Sequence, residues 1–145
     1  MKLQVASRIA IFALLELAAV PERQLAVAEI GEKYGVSTHH LAKVMQILAR
    51  AGLLRAMRGA RGGYQFSGNA RRTTLLDVIA LFEDFGSAGR RSEKWEATAE
   101  GHALRQVLDE IDDVARATLG AITLATMFKL MVRRQAAGRQ TAAAS

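Results

Sequence analysis

The run Ser37-Thr38-His39-His40, with Lys43 one helical turn on, gathers hydroxyls, imidazoles and an ammonium within a short stretch. Such groups hydrogen-bond to base edges and to phosphates. A second cluster, Arg58-Gly59-Ala60-Arg61-Gly62-Gly63 followed by Tyr64, sets two guanidinium groups among residues with little side-chain bulk. Glycine there lets the backbone come close to a duplex. An arginine at such a tip suits a narrow minor groove, where the negative potential is strongest. Both clusters point to double-stranded DNA. The plainer reading of His39 and His40 is a solvated surface pair, with metal ligation a weaker competitor. The glycine run could instead cradle a nucleotide phosphate, but it lacks the Gly-Lys-Ser/Thr ending and precedes no helix.

The elements that would position these groups are legible around them. Ala26 to Tyr34 reads as a short helix, with Val27, Ile30 and Tyr34 at helical spacing. Gly35 supplies a positive-φ stop, and Ser37 is a good N-cap for the next helix. Leu41, Val44, Met45 and Leu48 then form a core-facing stripe, which leaves Ser37 to His40 and Lys43 off the buried side. Two helices joined by a short glycine-containing turn make a helix-turn-helix, whose second helix enters a major groove. Leu53 to Met57 and Tyr64 to Phe66 read as two strands around the glycine-rich tip, a hairpin wing. Before them, Val5 to Ala19 reads as a largely buried helix ended at Pro21. After them, Thr74 to Phe85 reads as a helix opened by a Thr74/Asp77 capping box. Residues 86–95 read as a flexible polar loop.

A long amphipathic helix is expected from about Ala97 to Leu119, with Gly120 a candidate stop. Leu104, Val107, Leu108, Ile111, Val114 and Ala115 lie on one stripe, suited to dimerisation or to packing within one subunit. Ala121 to Met131 suits a last short helix, and the rest reads as a flexible basic tail. The expected organisation is a DNA-binding domain over 1–85, a loop over 86–96, dimerisation helices over 97–131 and a tail over 132–145. The fold class is mainly α with a small two-stranded β wing.

Charge and composition narrow the function classes. Residues 1–75 carry 11 Lys/Arg against 4 Asp/Glu, residues 76–128 carry 5 against 10, and residues 129–145 carry 4 against none. A basic front half is the footprint of a phosphate-binding surface. The chain has no cysteine, which excludes disulfides, thiolate metal sites and cysteine nucleophiles. No His/Ser/Asp grouping suggests catalysis, and the acidic run Asp109-Glu110-Asp112-Asp113 reads as a solvated helix face. No enzyme, no metal site and no cofactor are expected. No apolar run is long enough for a membrane span, and no leader peptide is expected, so the cytoplasm is the expected location.

With these pieces in place, the chain resembles the Rrf-two family of bacterial regulators, the IscR, NsrR and CymR type. The resemblance covers about residues 1–130. It rests on EIGEKYGVSTHHLAKVMQILARAGLL, on the wing RGARGGYQF and on TTLLDVIALFED, which are specific in combination. It implies a homodimeric transcriptional regulator, commonly a repressor on a pseudo-palindromic operator, with a long helix crossing to its partner. By position it implies DNA contacts at Ser37, Thr38, His39, His40 and Lys43, and a wing contact at Arg58 and Arg61. Ala42 stands where IscR has a sequence-selecting glutamate, and its methyl cannot make that hydrogen bond, so the resemblance does not imply the operator preference. Many members hold an iron–sulfur cluster through cysteines in the loop before the long helix. That loop has none here, and His102 alone, at the position of a non-cysteine ligand, cannot hold one. A cluster on atypical ligands and a winged helix that binds protein instead of DNA are the alternatives. The signal is open: a small-molecule effector in a pocket near Phe85 and Trp95, a protein corepressor, or none.

Overall fold

The computed structural model describes residues 1–59, 62–85 and 91–145. The order of elements is α1 (Val5–Ala19), α2 (Val27–Tyr34), α3 (Thr38–Arg50), β1 (Leu54–Met57), β2 (Gly63–Phe66), α4 (Leu75–Ile79), a 3-10 turn (Lys94–Ala97), α5 (Ala99–Ala121) and α6 (Leu124–Ala143). Helices with an antiparallel two-stranded wing are the architecture that the hydrophobic pattern predicts.

The core forms where the apolar stripes of several helices meet. Leu14 and Leu17 of α1, Leu41, Met45 and Leu48 of α3, Val78 and Ile79 of α4, and Leu124 of α6 are all fully buried. Helix α1 contributes most because it is apolar on nearly every side, so it must be surrounded. Its N-terminus is held by Glu83, whose carboxylate accepts from the Gln4 backbone N–H at 3.1 Å and from the buried Ser7 hydroxyl. A carboxylate there also complements the positive end of the helix.

That contact explains a departure from the expected Thr74–Phe85 helix. The capping box forms as predicted, with Asp77 N–H donating to Thr74 Oγ1 at 3.1 Å and Thr74 N–H to Asp77 Oδ2 at 2.9 Å. The α-helix nevertheless stops at Ile79. Leu81 and Phe82 then donate three residues back, to Val78 and Ile79, in tight turns that bring Glu83 to the start of α1.

The C-terminal region differs more. Helix α5 runs through Gly120 to Ala121, and Thr123 caps α6 by accepting from Thr126 N–H at 3.1 Å. The junction is stitched to the start of α4: Leu75 N–H donates to Ile122 O at 2.8 Å, and Leu124 N–H to Thr73 O at 3.0 Å. Helix α6 then continues to Ala143, so the stretch read as a flexible tail from 132 is helical. Low hydrophobicity suggested disorder there, but Ala, Arg and Gln are strong helix formers.

Part of the stretch read as a loop is also ordered. Residues 86–90 of the expected loop lie outside the described residues. Lys94–Ala97, however, form a 3-10 turn packed on the first turn of α5. A Cβ on Gly101 would lie 1.8 Å from Trp95 O and 2.7 Å from its carbonyl carbon, both backbone atoms. Gly101→Ala must therefore push the 3-10 turn off α5. The expected cost is about 1–3 kcal/mol, read as a fall of roughly 2–9 °C in the thermal unfolding midpoint. An unchanged midpoint would mean that this contact contributes no stability.

Candidate nucleic-acid interface

The α2–turn–α3 unit is set by three local devices. Gly35 ends α2 in the left-handed region at φ 65, which only glycine adopts without strain. Ser37 caps α3 by accepting from His40 N–H at 3.2 Å. Gly31 lies so close to the turn that a Cβ would meet Val36 O at 2.8 Å, which holds the two helices together. With Leu41, Val44, Met45 and Leu48 buried, the other face of α3 is turned outward.

Ser37, Thr38, His39 and Lys43 are exposed on that outer face, and His40 is half-buried. The structure thus brings the predicted recognition residues together at the start of one helix. It also shows that the Ser37 hydroxyl is engaged as a cap, which leaves Thr38, His39 and Lys43 with the more available side chains. Ala42, half-buried, offers a methyl where a polar reader could sit.

The wing is positioned by contacts that sequence reading missed. Strands β1 and β2 pair in the register Leu54–Phe66, Arg55–Gln65, Ala56–Tyr64 and Met57–Gly63. Leu25 adds itself as a third strand in miniature: its N–H donates to Tyr64 O, and Tyr64 N–H donates to Leu25 O, both at 3.0 Å. Gln24 Nε2 donates to Gly62 O at 3.1 Å, and Gln65 Nε2 donates to Pro21 O at 3.0 Å. The segment between α1 and α2 is therefore a strap across the wing, tied to it at Tyr64, Gly62 and Gln65. The sequence offers only the weak signal of two amide side chains and one leucine in a connector.

At the tip, Gly62 N–H donates to Gly59 O at 3.1 Å, and Arg58 is exposed beside it. Arg61, the other predicted wing cation, lies outside the described residues. Tyr64 is half-buried and packs against the core, so part of its side chain serves the fold.

The predicted dimer stripe divides in two. Leu104, Val107, Ile111 and Val114 of α5 are exposed by 50, 52, 58 and 67%. Leu108 and Ala115 are half-buried. The exposed four recur at three- and four-residue steps, the spacing of a helix–helix seam.

An iron–sulfur cluster does not fit this chain. It has no thiolate, and among the described residues no three His, Asp or Glu side chains converge on a metal-sized site. His102 is exposed on the first turns of α5. Also among the described residues, no helix is long and apolar enough to cross a membrane.

Comparison with known proteins agrees with the architecture. Residues 3–130 match Rrf2, described as an iron-dependent transcriptional regulator. The HTH-type transcriptional regulator BadM of Rhodopseudomonas palustris is 43% identical over 135 residues, covering 90% of this chain and 83% of that protein. CymR, the global cysteine regulator of B. subtilis, superposes with a TM-score of 0.70 at 26% identity, over 88% of this chain and 95% of that one. IscR of T. potens superposes with a TM-score of 0.64 at 26% identity, over 89% and 87%. BadM and CymR are both named as regulators.

Proposed function

Since the chain belongs to the Rrf2 family of transcriptional regulators, we propose that it is a repressor that binds a pseudo-palindromic operator as a homodimer, without an iron–sulfur cluster. The observation that supports the reading is that Thr38, His39 and Lys43 stand exposed at the start of α3 and that the hairpin after it, strapped by Gln24, carries an exposed Arg58. The start of α3 would enter the major groove, where the Thr38 hydroxyl, the His39 imidazole and the Lys43 ammonium would meet base edges and phosphates. Arg58 and Arg61 would follow the wing into the adjoining minor groove. Ser37 and His40 would act mainly by ordering the first turn of α3, whose N-terminus itself favours a phosphate.

Homodimerisation is supported by the exposed α5 seam. Four aliphatic side chains in a row, each half or more open to water, form an apolar surface that a second α5 would cover. Two recognition helices would then read half-sites about one helical turn apart, or a multiple of that spacing. Repression follows if the occupied operator overlaps a promoter. The cytoplasm, where the DNA is, is the matching location.

A gel-shift with the DNA upstream of the protein's own gene tests the reading. Specific retardation that survives excess competitor DNA is expected, and a footprint with two-fold symmetry. Retardation abolished by nonspecific competitor would refute it and favour a winged helix that binds protein. Lys43→Ala should weaken operator binding and lower the slope of log affinity against log salt by about one, the signature of one lost phosphate contact. An unchanged slope with weaker binding would reassign Lys43 to a base edge.

A further inference from the structure

A cleft of about 410 Å³ lies between α1, α2 and α6, lined by none of the residues at the start of α3. That volume is within the usual range for a small-molecule site. Its walls are apolar, from Phe12 on α1 and from Phe128 and Met131 on α6. The Phe12 and Tyr34 rings stack with centroids 4.9 Å apart and planes 10° from parallel. At one end stands Glu16, whose carboxylate accepts from the Tyr34 hydroxyl at 2.5 Å and from the Lys33 ammonium. Lys33 Nζ also sits 5.5 Å from the centre of the Tyr34 ring. A carboxylate beside an aromatic face is the recognition chemistry for an organic cation. Here the chain's own lysine already occupies it.

The two charges are not held alike. The Glu16 side chain is 25% exposed and anchored by Tyr34, whereas that of Lys33 is 60% exposed at the rim. Burial raises the Glu16 carboxyl, but hydrogen bonds from Lys33 and Tyr34 outweigh it and hold the group below its usual value. The anion is thus a fixed part of the wall. Lys33 can leave cheaply, because an exposed ion pair contributes little and the freed side chain regains rotamer entropy.

We propose that this cleft binds a small organic ammonium ion with an apolar, preferably aromatic, body, its head replacing Lys33 at Glu16 and its body lying against Phe12, Phe128 and Met131. Lys33 and Tyr34 are the last residues of α2, directly before the Gly35–Val36 turn and the Ser37 cap of α3. Occupancy would act on the turn that aims the recognition helix. This regulatory consequence rests on the DNA-binding reading; the binding itself does not.

Calorimetry on the full chain without DNA separates the two. The probes are phenethylamine, 2-phenylethanol and phenylacetate. Saturable binding of the amine is expected, about tenfold tighter than the alcohol and tighter still than the acid. Glu16→Gln should abolish the preference for the amine. Lys33→Ala should tighten amine binding by removing the internal competitor, an effect that loss of a merely structural ion pair would not give. If Glu16→Gln fails to fold, the Lys33→Ala result decides alone. No amine binding, tighter binding of phenylacetate, or weaker amine binding in Lys33→Ala would each overturn the site. Amine binding that appears only in a monomeric variant would assign the cleft to a second copy of the chain and also overturn it. Amine binding with unaltered operator affinity would overturn the regulatory consequence and leave the site standing.

Discussion

Ile111→Asp is expected to leave the chain monomeric and to weaken operator binding by about two orders of magnitude or more. Ile111 lies in the middle of the exposed α5 seam, between Val107 and Val114. Burying its remaining surface in a dimer would contribute about 1 kcal/mol from each copy. An aspartate there reverses the sign, because each copy would have to desolvate a carboxylate against apolar neighbours. Two half-sites bound by one dimer benefit from a millimolar-scale effective concentration, and two monomers forgo it. Sedimentation and gel-shift titrations check the two halves separately. More than half of Ile111 is open to water in the single subunit, so the thermal stability of the monomer should change less than the dimer's. A variant that stays dimeric would move the interface off α5. A monomer that binds the operator undiminished would show that dimerisation is not needed for recognition.

The second large effect is expected at Gly63. Its φ is 144, a conformation that side-chain-bearing residues rarely adopt. A Cβ there would lie 2.5 Å from Leu25 O and 2.9 Å from its carbonyl carbon. Neither obstacle can rotate away, since both are backbone atoms of the strap that fixes the wing. The combined cost of Gly63→Ala is about 3 kcal/mol. Little of the core rests on the hairpin tip, so the cheapest relief is for β2 to part from Leu25 and for the wing to swing away from α3. Operator affinity should therefore fall at least about tenfold, with a smaller loss of thermal stability than that cost implies. Hydrogen exchange should show the Leu25 and Tyr64 amides losing protection. Full affinity with both amides still protected would show that the strap tolerates a Cβ and does not aim the wing.

These two positions mark where sequence reading reaches and where it stops. The elements α2, α3, β1 and β2 were legible almost to the residue. Their signals are local: a glycine that must be left-handed, a serine that caps, a stripe at helical spacing, two short strands around glycines. The thiolate question was also closed by composition, since a chain without cysteine cannot offer one. The basic front half and the outward groups of α3 followed from the same local rules, because a helix with one buried face must present the other.

What only the tertiary structure decided depends on partners distant in sequence. The wing is tied down by Gln24 and Leu25, whose roles appear only when β2 lies beside them. Helix α4 ends early because Glu83 is drawn to α1, 76 residues from its Ser7 partner. The α5 stripe looked like a single face, yet tertiary contact half-buries Leu108 and Ala115 and leaves Leu104, Val107, Ile111 and Val114 open. The cleft around Glu16 draws on three helices, and no spacing along the chain announces it. Local sequence determines which face of an element is apolar or charged; only packing determines which other element, or which other molecule, that face meets.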